Sequence, residues 1–191
     1  MSSSVPPRVT LKLATSLDGK IALSDGQSKW ITGPESRAEV HRMRAAHDAI
    51  LTGVGTILAD DPEFTARIDP MPDKQPDLII LDREGRMNMG AKVFARGDRQ
   101  VILRASGDIG AAIAGYATVM IEAGARIAAA ALRADVIDRV EWFRAPKVLG
   151  DDGLSVFAEL GLESLELAPI FNRIAVTERG DDLQETYERV R

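Results

Sequence analysis

Hydrophobic and polar positions along the chain follow two different periods. Between Arg8 and Ala14, apolar residues occupy every second position (Val9, Leu11 and Leu13), which is the period of a β-strand with one buried face. Short continuous apolar runs are typical of strands covered on both faces, and they occur at 49–52, 78–82, 101–103 and 119–121. Helices are predicted between and after these runs, at 56–60, 108–115 and 124–134. Such an alternation of strands and helices predicts an α/β sandwich.

A further helix is predicted to begin at the motif Thr32-Gly33-Pro34-Glu35 and to end near Ala46. The motif has the form of a capping box, in which the Thr32 hydroxyl and the Glu35 carboxylate satisfy backbone amides of the first turn. Proline is tolerated at that position of a helix. The helix should therefore start immediately after Thr32.

The chain contains two histidines, and both lie on this helix or at its end. Val40, Met43 and His47 share one helix face, so His47 is expected to pack rather than to catalyse. No partner carboxylate or metal-ligand set can be identified for His41 or for His47. Neither histidine is therefore predicted to be catalytic, and no metal site is expected.

The C-terminal part of the chain has a different pattern. Strands are predicted at 140–145, 173–177 and 183–190, and Gly180-Asp181-Asp182 supplies the turn between the last two. This arrangement predicts an antiparallel hairpin added to a mixed, mostly parallel sheet. With neither an internal repeat nor a low-complexity linker, residues 1–191 are expected to form a single domain, with a disordered tail at 1–7.

Composition excludes several classes of function. The formal net charge is −5 and the basic residues are scattered, so the chain lacks the cationic footprint of a nucleic-acid-binding protein. Cysteine is absent, which removes disulfides, thiolate metal sites and cysteine nucleophiles. No apolar stretch is long enough for a transmembrane helix, and no secretory signal precedes the first strand. A cytoplasmic protein without a membrane partner is expected.

Two glycine turns are the first candidates for ligand binding. Gly53-Val54-Gly55 joins a predicted strand to a short helix that Thr56 opens, and Glu122-Ala123-Gly124 repeats the arrangement later in the chain. Glycines let a phosphate approach the main chain, and helix N-termini favour negative charge. Ligands of open α/β sheets bind beyond the carboxyl ends of strands, so the two turns are expected to converge on one crevice for a dinucleotide. The alternative is that the first pair of glycines only turns a strand into a helix.

Other side chains could complete such a site, although each also has a simpler explanation. Arg44 and Arg67 could clamp a phosphate, and Arg83 lies where a cofactor's 2′-phosphate would need a cation; single arginines are more often surface charges. Trp30 could stack on a planar ring or anchor a core. Asp60 and Asp61 could form a solvated turn, or one of them could face the ligand.

Long stretches of the sequence resemble a known family. They are LKLATSLDGKIAL, GQSKWITGPESR, LTGVGTILADDPEFTAR, IEAGARIAAAALRADVIDRVEWFRAPKVLGDDGL and LGLESLELAP. Together they resemble the C-terminal reductase domain of the bifunctional riboflavin-biosynthesis deaminase-reductase, over nearly the whole chain. This resemblance implies a three-layer dihydrofolate-reductase-like fold. It also implies NADPH-dependent reduction of 5-amino-6-(5-phosphoribosylamino)uracil to the ribitylamino product, with hydride delivered to the sugar C1.

The resemblance also implies roles for individual residues. Cofactor contacts are expected from Ala14, Trp30, Thr56, Asp60, Arg83, and the segment from Gly124 to Ala130 that includes Ala125, Arg126 and Ile127. Substrate contacts are expected from Ser28, Arg44, Phe64, Arg67 and Glu122. The furanose ring must open to an imine before hydride attack, so a proton donor is required. Lys12 and Asp60 are predicted near the reacting centre, with Glu122 holding the pyrimidine.

The sequence departs from the family pattern in two ways. Without cysteine it cannot contain the zinc deaminase motifs, so a separate deaminase is expected in the pathway. The region 104–118 is shorter than expected and could alter the adenosine end of the cofactor site. A homodimer is expected from the family. A same-fold reductase of a pterin or other small heterocycle, or a catalytically silent nucleotide-binding module, are the alternatives.

Overall fold

The computed structural model describes residues 6–191, and its central feature is an eight-stranded sheet. Most of the predicted tail, residues 1–5, lies outside the described residues. The strands are β1 Arg8–Thr15, β2 Lys20–Ala22, β3 Ala49–Gly53, β4 Asp77–Leu81, β5 Val101–Arg104, β6 Thr118–Ile121, β7 Arg139–Arg144, β8 Leu154–Ser155, β9 Phe171–Arg179 and β10 Asp182–Arg189. The α-helices are α1 Pro34–Ala45, α2 Val54–Asp60, α3 Ile109–Ile113 and α4 Ala125–Arg133, with short 3-10 helices at Lys92–Phe94 and Leu165–Leu167.

The strand order of the large sheet is β5-β4-β3-β6-β1-β7-β10-β9. The strands from β5 to β7 in this order run parallel, whereas β10 pairs antiparallel with β7 and with β9. The mostly parallel mixed sheet with a C-terminal antiparallel hairpin is therefore confirmed. A separate two-stranded sheet of β2 and β8 was not predicted, because runs of two or three residues carry no periodic signal.

Helices cover both faces of the sheet. On one face, Val9, Leu11 and Leu13 of β1 pack with α3 and α4; on the other, Val40 and Met43 of α1 pack with central strands and α2. This gives the predicted three layers. Strands β3 and β4 are buried throughout, as predicted, but β5 is partly exposed because it forms a sheet edge. Among the described residues, no helix combines the length and hydropathy needed to cross a bilayer.

The predicted capping box at the start of α1 is wrong. Gly33 occupies the N-cap position, and neither Thr32 nor Glu35 caps the helix with its side chain. The carboxylate of Asp182 does so instead: its Oδ2 accepts hydrogen bonds from the Gly33 amide (2.6 Å) and the Ser36 hydroxyl (2.6 Å). The C-terminal hairpin therefore fixes the start of the helix that carries much of the candidate site. The predicted start of α2 at Thr56 is also late by two residues.

Candidate functional site

A cavity of about 340 Å³ opens beside the carboxyl-terminal half of β1, between α1 and the loop that precedes it. This volume is at the lower end of the range for small-molecule sites. β1 contributes the side chains of Lys12 and Ala14. The lining residues are Lys12, Ala14, Ile21, Ser28, Trp30, Ile31, Thr32, Arg37, Val40, His41, Arg44 and Arg67.

Next to the cavity, two cations surround one buried carboxylate. Arg44 donates from Nε to Glu122 Oε1 (2.7 Å) and from Nη2 to Oε2 (2.9 Å), which is a bidentate pair. Lys12 Nζ lies 4.0 Å from Glu122 Oε2. The three side chains are between 6% and 18% exposed. We call Lys12, Arg44 and Glu122 the charged cluster.

Sheet topology explains how the cluster assembles. β1 and β6 are neighbours, and Glu122 directly follows β6 with its amide bonded to the Leu51 carbonyl of β3. Successive side chains of a strand alternate between faces, so Lys12 points away from the face of Leu11 and Leu13 and toward α1. Arg44 reaches the pair from the last turn of α1.

Electrostatics in the cluster weaken the hold of the Lys12 amine on its proton. Burial lowers the pKa of the Lys12 amine, opposed by Glu122 and reinforced by Arg44. For Glu122, burial alone would raise the pKa, but Arg44 and Lys12 outweigh it and hold the pKa below its ordinary value. Glu122 is therefore ionised at neutral pH. The cluster carries a net positive charge when Lys12 is protonated.

The rest of the cavity wall adds positive charge. Arg37 and Arg67 line it together with Lys12 and Arg44, and His41 lies among them. Burial first, and then Arg44, lower the pKa of His41, so this ring is neutral at neutral pH. Although the chain as a whole is acidic, this cavity is suited to an anionic ligand.

The outer rim of the cavity is held by cations bonded to main-chain carbonyls. Lys147 Nζ donates to the carbonyls of Trp30 (2.6 Å) and Ile31 (3.0 Å), and Arg37 donates to that of Thr32 (2.6 Å). Trp30 has a positive φ of 69° and a side chain that is 67% exposed, with the Arg37 guanidinium 4.4 Å from its ring centroid. The indole is thus presented at the mouth of the cavity and not packed as a core anchor.

The two predicted glycine turns lie at the ends of neighbouring strands, β3 and β6. A Cβ atom on Gly53 would meet Ile127 Cδ1 of α4 at 2.4 Å, so the space beside this glycine is filled by the end of that side chain. Beside Gly55 and Gly124, in contrast, the described residues place no heavy atom within 4 Å of a Cβ position, apart from chain neighbours and the backbone of the same helix, and both residues are exposed. Of the three glycines in these turns, these two have space for a ligand to approach.

The predicted site residues fall into three sets. Lys12, Ala14, Ser28, Trp30, Arg44 and Arg67 line the cavity. Glu122 lies behind it, and Phe64 is buried with Arg44 over its ring at 5.5 Å. A third set lies beyond the cavity wall, at the ends of β3, β4 and β6; it consists of Thr56, Asp60, Arg83, Gly124, Ala125, Arg126 and Ile127. Within this set, Asp60 is exposed at the end of α2.

The sequence interpretation missed two basic residues of the cavity wall, Arg37 and His41. His41 Nδ1 lies 2.9 Å from the Thr65 carbonyl oxygen and 3.2 Å from the Arg67 amide nitrogen. Arg37, His41 and Arg44 are spaced i, i+4 and i+7, so they share one face of α1. That spacing is the sequence signal for these residues, and it lies beside the apolar stripe of Val40 and Met43. His47, in contrast, bonds to the Met43 carbonyl and to Thr10 Oγ1, as a packed helix-end residue would.

A family model and a curated relative both match nearly the whole chain. Residues 7–178 match the family model described as the RibD C-terminal domain. The riboflavin biosynthesis protein RibD of Aquifex aeolicus is 34% identical over 209 residues, which cover 96% of this chain and 58% of that protein. The chain thus spans little more than half the length of such relatives.

Solved structures extend the similarity to the fold. A diaminohydroxyphosphoribosylaminopyrimidine deaminase/5-amino-6-(5-phosphoribosylamino)uracil reductase from Thermotoga maritima superposes with a TM-score of 0.82 at 29% identity, covering 97% of this chain and 57% of that one. Dihydrofolate reductase from Enterococcus faecalis superposes with a TM-score of 0.62 at 14% identity, covering 95% and 96%. The second match confirms the expected dihydrofolate-reductase-like fold.

Proposed function

The chain belongs to the family of RibD C-terminal domains, and on this basis we propose that it reduces 5-amino-6-(5-phosphoribosylamino)uracil to the ribitylamino product with NADPH. The observation that carries the proposal is the charged cluster of Lys12, Arg44 and Glu122 beside a cation-lined cavity. It supplies a proton donor, a fixed carboxylate and positive charge for a phosphate in one place.

The cavity suits the substrate chemically. A phosphomonoester carries up to two negative charges, and arginine recognises phosphate through paired N–H donors. Arg67, whose side chain is 55% exposed and bonds to Glu63 and to the Thr65 hydroxyl, is the candidate for the phosphate. Arg44 is the second candidate, although two of its nitrogens already bond to Glu122. Ser28, Phe64 and Glu122 would contact the remainder of the substrate.

The open side of the glycine turns suits the cofactor. Gly124 is the N-cap of α4, and the space beside it and beside Gly55 would admit a pyrophosphate. The residues proposed to hold NADPH are Ala14, Trp30, Thr56, Asp60, Arg83, Gly124, Ala125, Arg126 and Ile127. When bound, the cofactor would supply the hydride for the sugar C1.

The chain's own part in the chemistry is proton transfer and positioning. We assign the proton that accompanies opening of the furanose ring to Lys12 Nζ, because burial weakens its hold on the proton. Glu122 would hold the pyrimidine and keep Lys12 in place through its charge. Asp60, which is exposed at the end of α2, is the other proposed catalytic residue.

The direct test is consumption of NADPH by the purified chain. Turnover is expected with the phosphoribosylaminopyrimidine; a folded chain that binds NADPH but turns over no candidate would point to the silent nucleotide-binding module. Arg67→Ala separates the proposed substrate from a pterin. It should raise the KM about ten-fold or more if a phosphate is bound, with little effect otherwise. Arg42→Ala is a matched control, since Arg42 is also exposed and also pairs with a carboxylate, that of Glu39.

We also propose a homodimer joined along β9, the last strand of the sheet. Ile174 and Val176 are about half exposed there, and an unpaired strand edge is a template for another strand. Val176→Lys should then give a monomer by light scattering, whereas Met71→Lys, at an equally exposed position, should not. A wild-type chain that is monomeric would remove this proposal.

The expected cytoplasmic location and the separate deaminase stay predictions. The Thermotoga maritima relative carries both activities in its name. Assay of this chain with the deaminase substrate would test the second expectation, because cysteine, a ligand of the expected zinc site, is absent from the sequence.

A further inference from the structure

The segment 63–67 carries two residues of the proposed substrate site, Phe64 and Arg67, yet it belongs to no helix or strand. Phe64 has a positive φ of 52° and is only 4% exposed, a conformation that a bulky residue rarely adopts without support. Support comes from side chains elsewhere in the chain, which bond to the main chain of this segment.

Arg44 and His41 hold the middle of the segment from inside the cavity. Arg44 Nη1 donates to the Thr65 carbonyl (3.1 Å), and His41 Nδ1 lies within hydrogen-bond distance of that carbonyl and of the Arg67 amide. These two contacts belong to the site already described.

Two other residues hold the segment from outside the cavity. Arg99 donates to the carbonyls of Phe64 (2.8 Å) and Glu63 (2.5 Å). Gln75 bonds to both polar groups of Ala66: its Oε1 accepts from the amide (2.6 Å) and its Nε2 donates to the carbonyl (3.0 Å). Gln75 is 1% exposed and lies two residues before β4, so it ties Ala66 to the sheet.

The pairing of Gln75 with Ala66 is specific in its chemistry. A primary amide is the side-chain group that can accept from one backbone amide and donate to the carbonyl of the same residue. Ala66 directly precedes Arg67, so the orientation of the Arg67 backbone depends on this pair. A small displacement of a substrate-positioning residue can cost a large factor in rate or affinity.

We propose that Gln75 is a positioning residue for substrate binding. It fixes the backbone of Ala66 and thereby directs the Arg67 side chain toward the substrate's phosphate. The proposal rests on the proposed function in assigning a phosphate to Arg67. Arg99 supports the preceding turn of the same segment and acts in the same sense on Phe64.

The experiment compares Gln75→Met with Gln184→Met. Both glutamines are buried, and each loses two hydrogen bonds to nitrogen or oxygen atoms; those of Gln184 are to Arg179 of the C-terminal hairpin and to Glu141 of β7. Ribose 5-phosphate serves as the probe, with its Kd measured by calorimetry in the absence of NADPH. Gln75→Met should weaken binding about ten-fold and leave the Kd of NADPH unchanged. Gln184→Met should change neither constant.

A double-mutant cycle tests whether Gln75 acts through Arg67. In an Arg67→Ala background, Gln75→Met should have almost no further effect on ribose 5-phosphate binding, because the group that it positions is gone. Full additivity overturns the proposal, as does equal weakening by the two glutamine variants or a wild-type chain that does not bind ribose 5-phosphate. If Gln75→Met does not fold, Gln75→Asn takes its place; it keeps the amide but is one methylene shorter. It should likewise weaken ribose 5-phosphate binding more than Gln184→Met does.

This readout is independent of catalysis. A chain that binds ribose 5-phosphate through Arg67 and Gln75 but reduces no substrate would remove the proposed function and leave the positioning role standing. Conversely, turnover of the proposed substrate with unchanged KM in Gln75→Met would keep the function and remove the positioning role.

Discussion

Two buried carboxylates flank β1, and they differ in what surrounds them. Glu122 follows β6 on one side, and Glu141 lies on β7 on the other, paired in register with Lys12. Their exposed fractions are similar, 7% and 4%. Glu141 accepts hydrogen bonds from Arg139 Nε (2.6 Å), Gln184 Nε2 (2.8 Å) and Thr186 Oγ1 (2.9 Å), all on β7 or β10.

Glu122 has a different set of partners. Arg44 and Lys12 are both cationic, come from different layers of the fold, and line a cavity in which Arg37 and Arg67 add more positive charge. The Glu141 carboxylate instead accepts hydrogen bonds from one cation, Arg139, and from two neutral donors, Gln184 and Thr186, all within the sheet. Burial of a charge therefore does not by itself mark a site in this protein. The feature that we take to mark the proposed site is an excess of cations beside a cavity.

Removing Lys12 from the charged cluster should have the largest effect on activity. In Lys12→Met the proposed proton donor is lost, so kcat/KM should fall by roughly 10²- to 10⁴-fold. The melting temperature should stay level or rise. Burial lowers the pKa of Lys12 in the folded chain, so the unfolded chain holds the proton more tightly, and the charged amine costs stability at neutral pH.

Steady-state assay with NADPH and thermal unfolding of the same samples measure both effects. Lys92→Met, at a largely exposed lysine that pairs with Asp61, is the matched control and should change neither by much. Retained activity in Lys12→Met would remove Lys12 from the proposed chemistry.

The other carboxylate should give the opposite pattern. Glu141→Gln keeps the shape of the side chain but weakens three hydrogen bonds to a buried charge, which should cost about 2 kcal/mol of the free energy of unfolding. The kcat should stay close to that of the wild type, because Glu141 lies outside the cavity wall. Denaturant unfolding and steady-state kinetics together check this, and a loss of kcat without a loss of stability would reverse the roles assigned to the two carboxylates.

The pH dependence of kcat/KM should show that the titrating group lies in the charged cluster around Glu122 and not around Glu141. The proposed mechanism needs Lys12 in its protonated form, which prevails below its pKa. The value of kcat/KM should therefore fall about ten-fold per pH unit once the pH exceeds that pKa. Because burial lowers this pKa, the decline should begin below pH 10.5, the ordinary value for lysine. Glu141→Gln should leave the position of the decline unchanged. A flat profile up to that pH would contradict the assignment.

Local patterns predicted the parts of the fold that depend on neighbours in sequence. The alternation of Val9, Leu11 and Leu13 correctly predicted β1, and the glycine turns correctly predicted the ends of β3 and β6. The same alternation implied that Lys12 faces the other layer. Residue chemistry suggested phosphate binding by Arg67, whereas the substrate contact of Ser28 came from resemblance to the family, since no local rule assigns it.

Contacts between distant parts of the chain were beyond such patterns. Gln75 and Arg99 hold the segment 63–67 through hydrogen bonds to its main chain, which leave no mark on the periodicity of either partner. Similarly, Gly53 suggested a phosphate cradle, but the space beside it is occupied by Ile127, 74 positions later in the chain. Packing of this kind is decided only when the layers assemble.

The capping of α1 gives the smallest of the expected effects. It also tests most clearly whether contacts between distant parts of the chain, and not local motifs, decide the structure. Asp182 caps the helix from 149 residues away, whereas the Thr32 hydroxyl, which the local motif favours, does not. Asp182→Ala should therefore lower the free energy of unfolding by about 1 kcal/mol, the usual value of an N-cap, and Thr32→Ala should change it by a few tenths at most. Chemical denaturation of both variants measures the difference. Equal losses would restore the capping box, and a larger loss from Thr32→Ala would show that the sequence motif, and not the hairpin, sets the start of the helix that carries Arg37, His41 and Arg44.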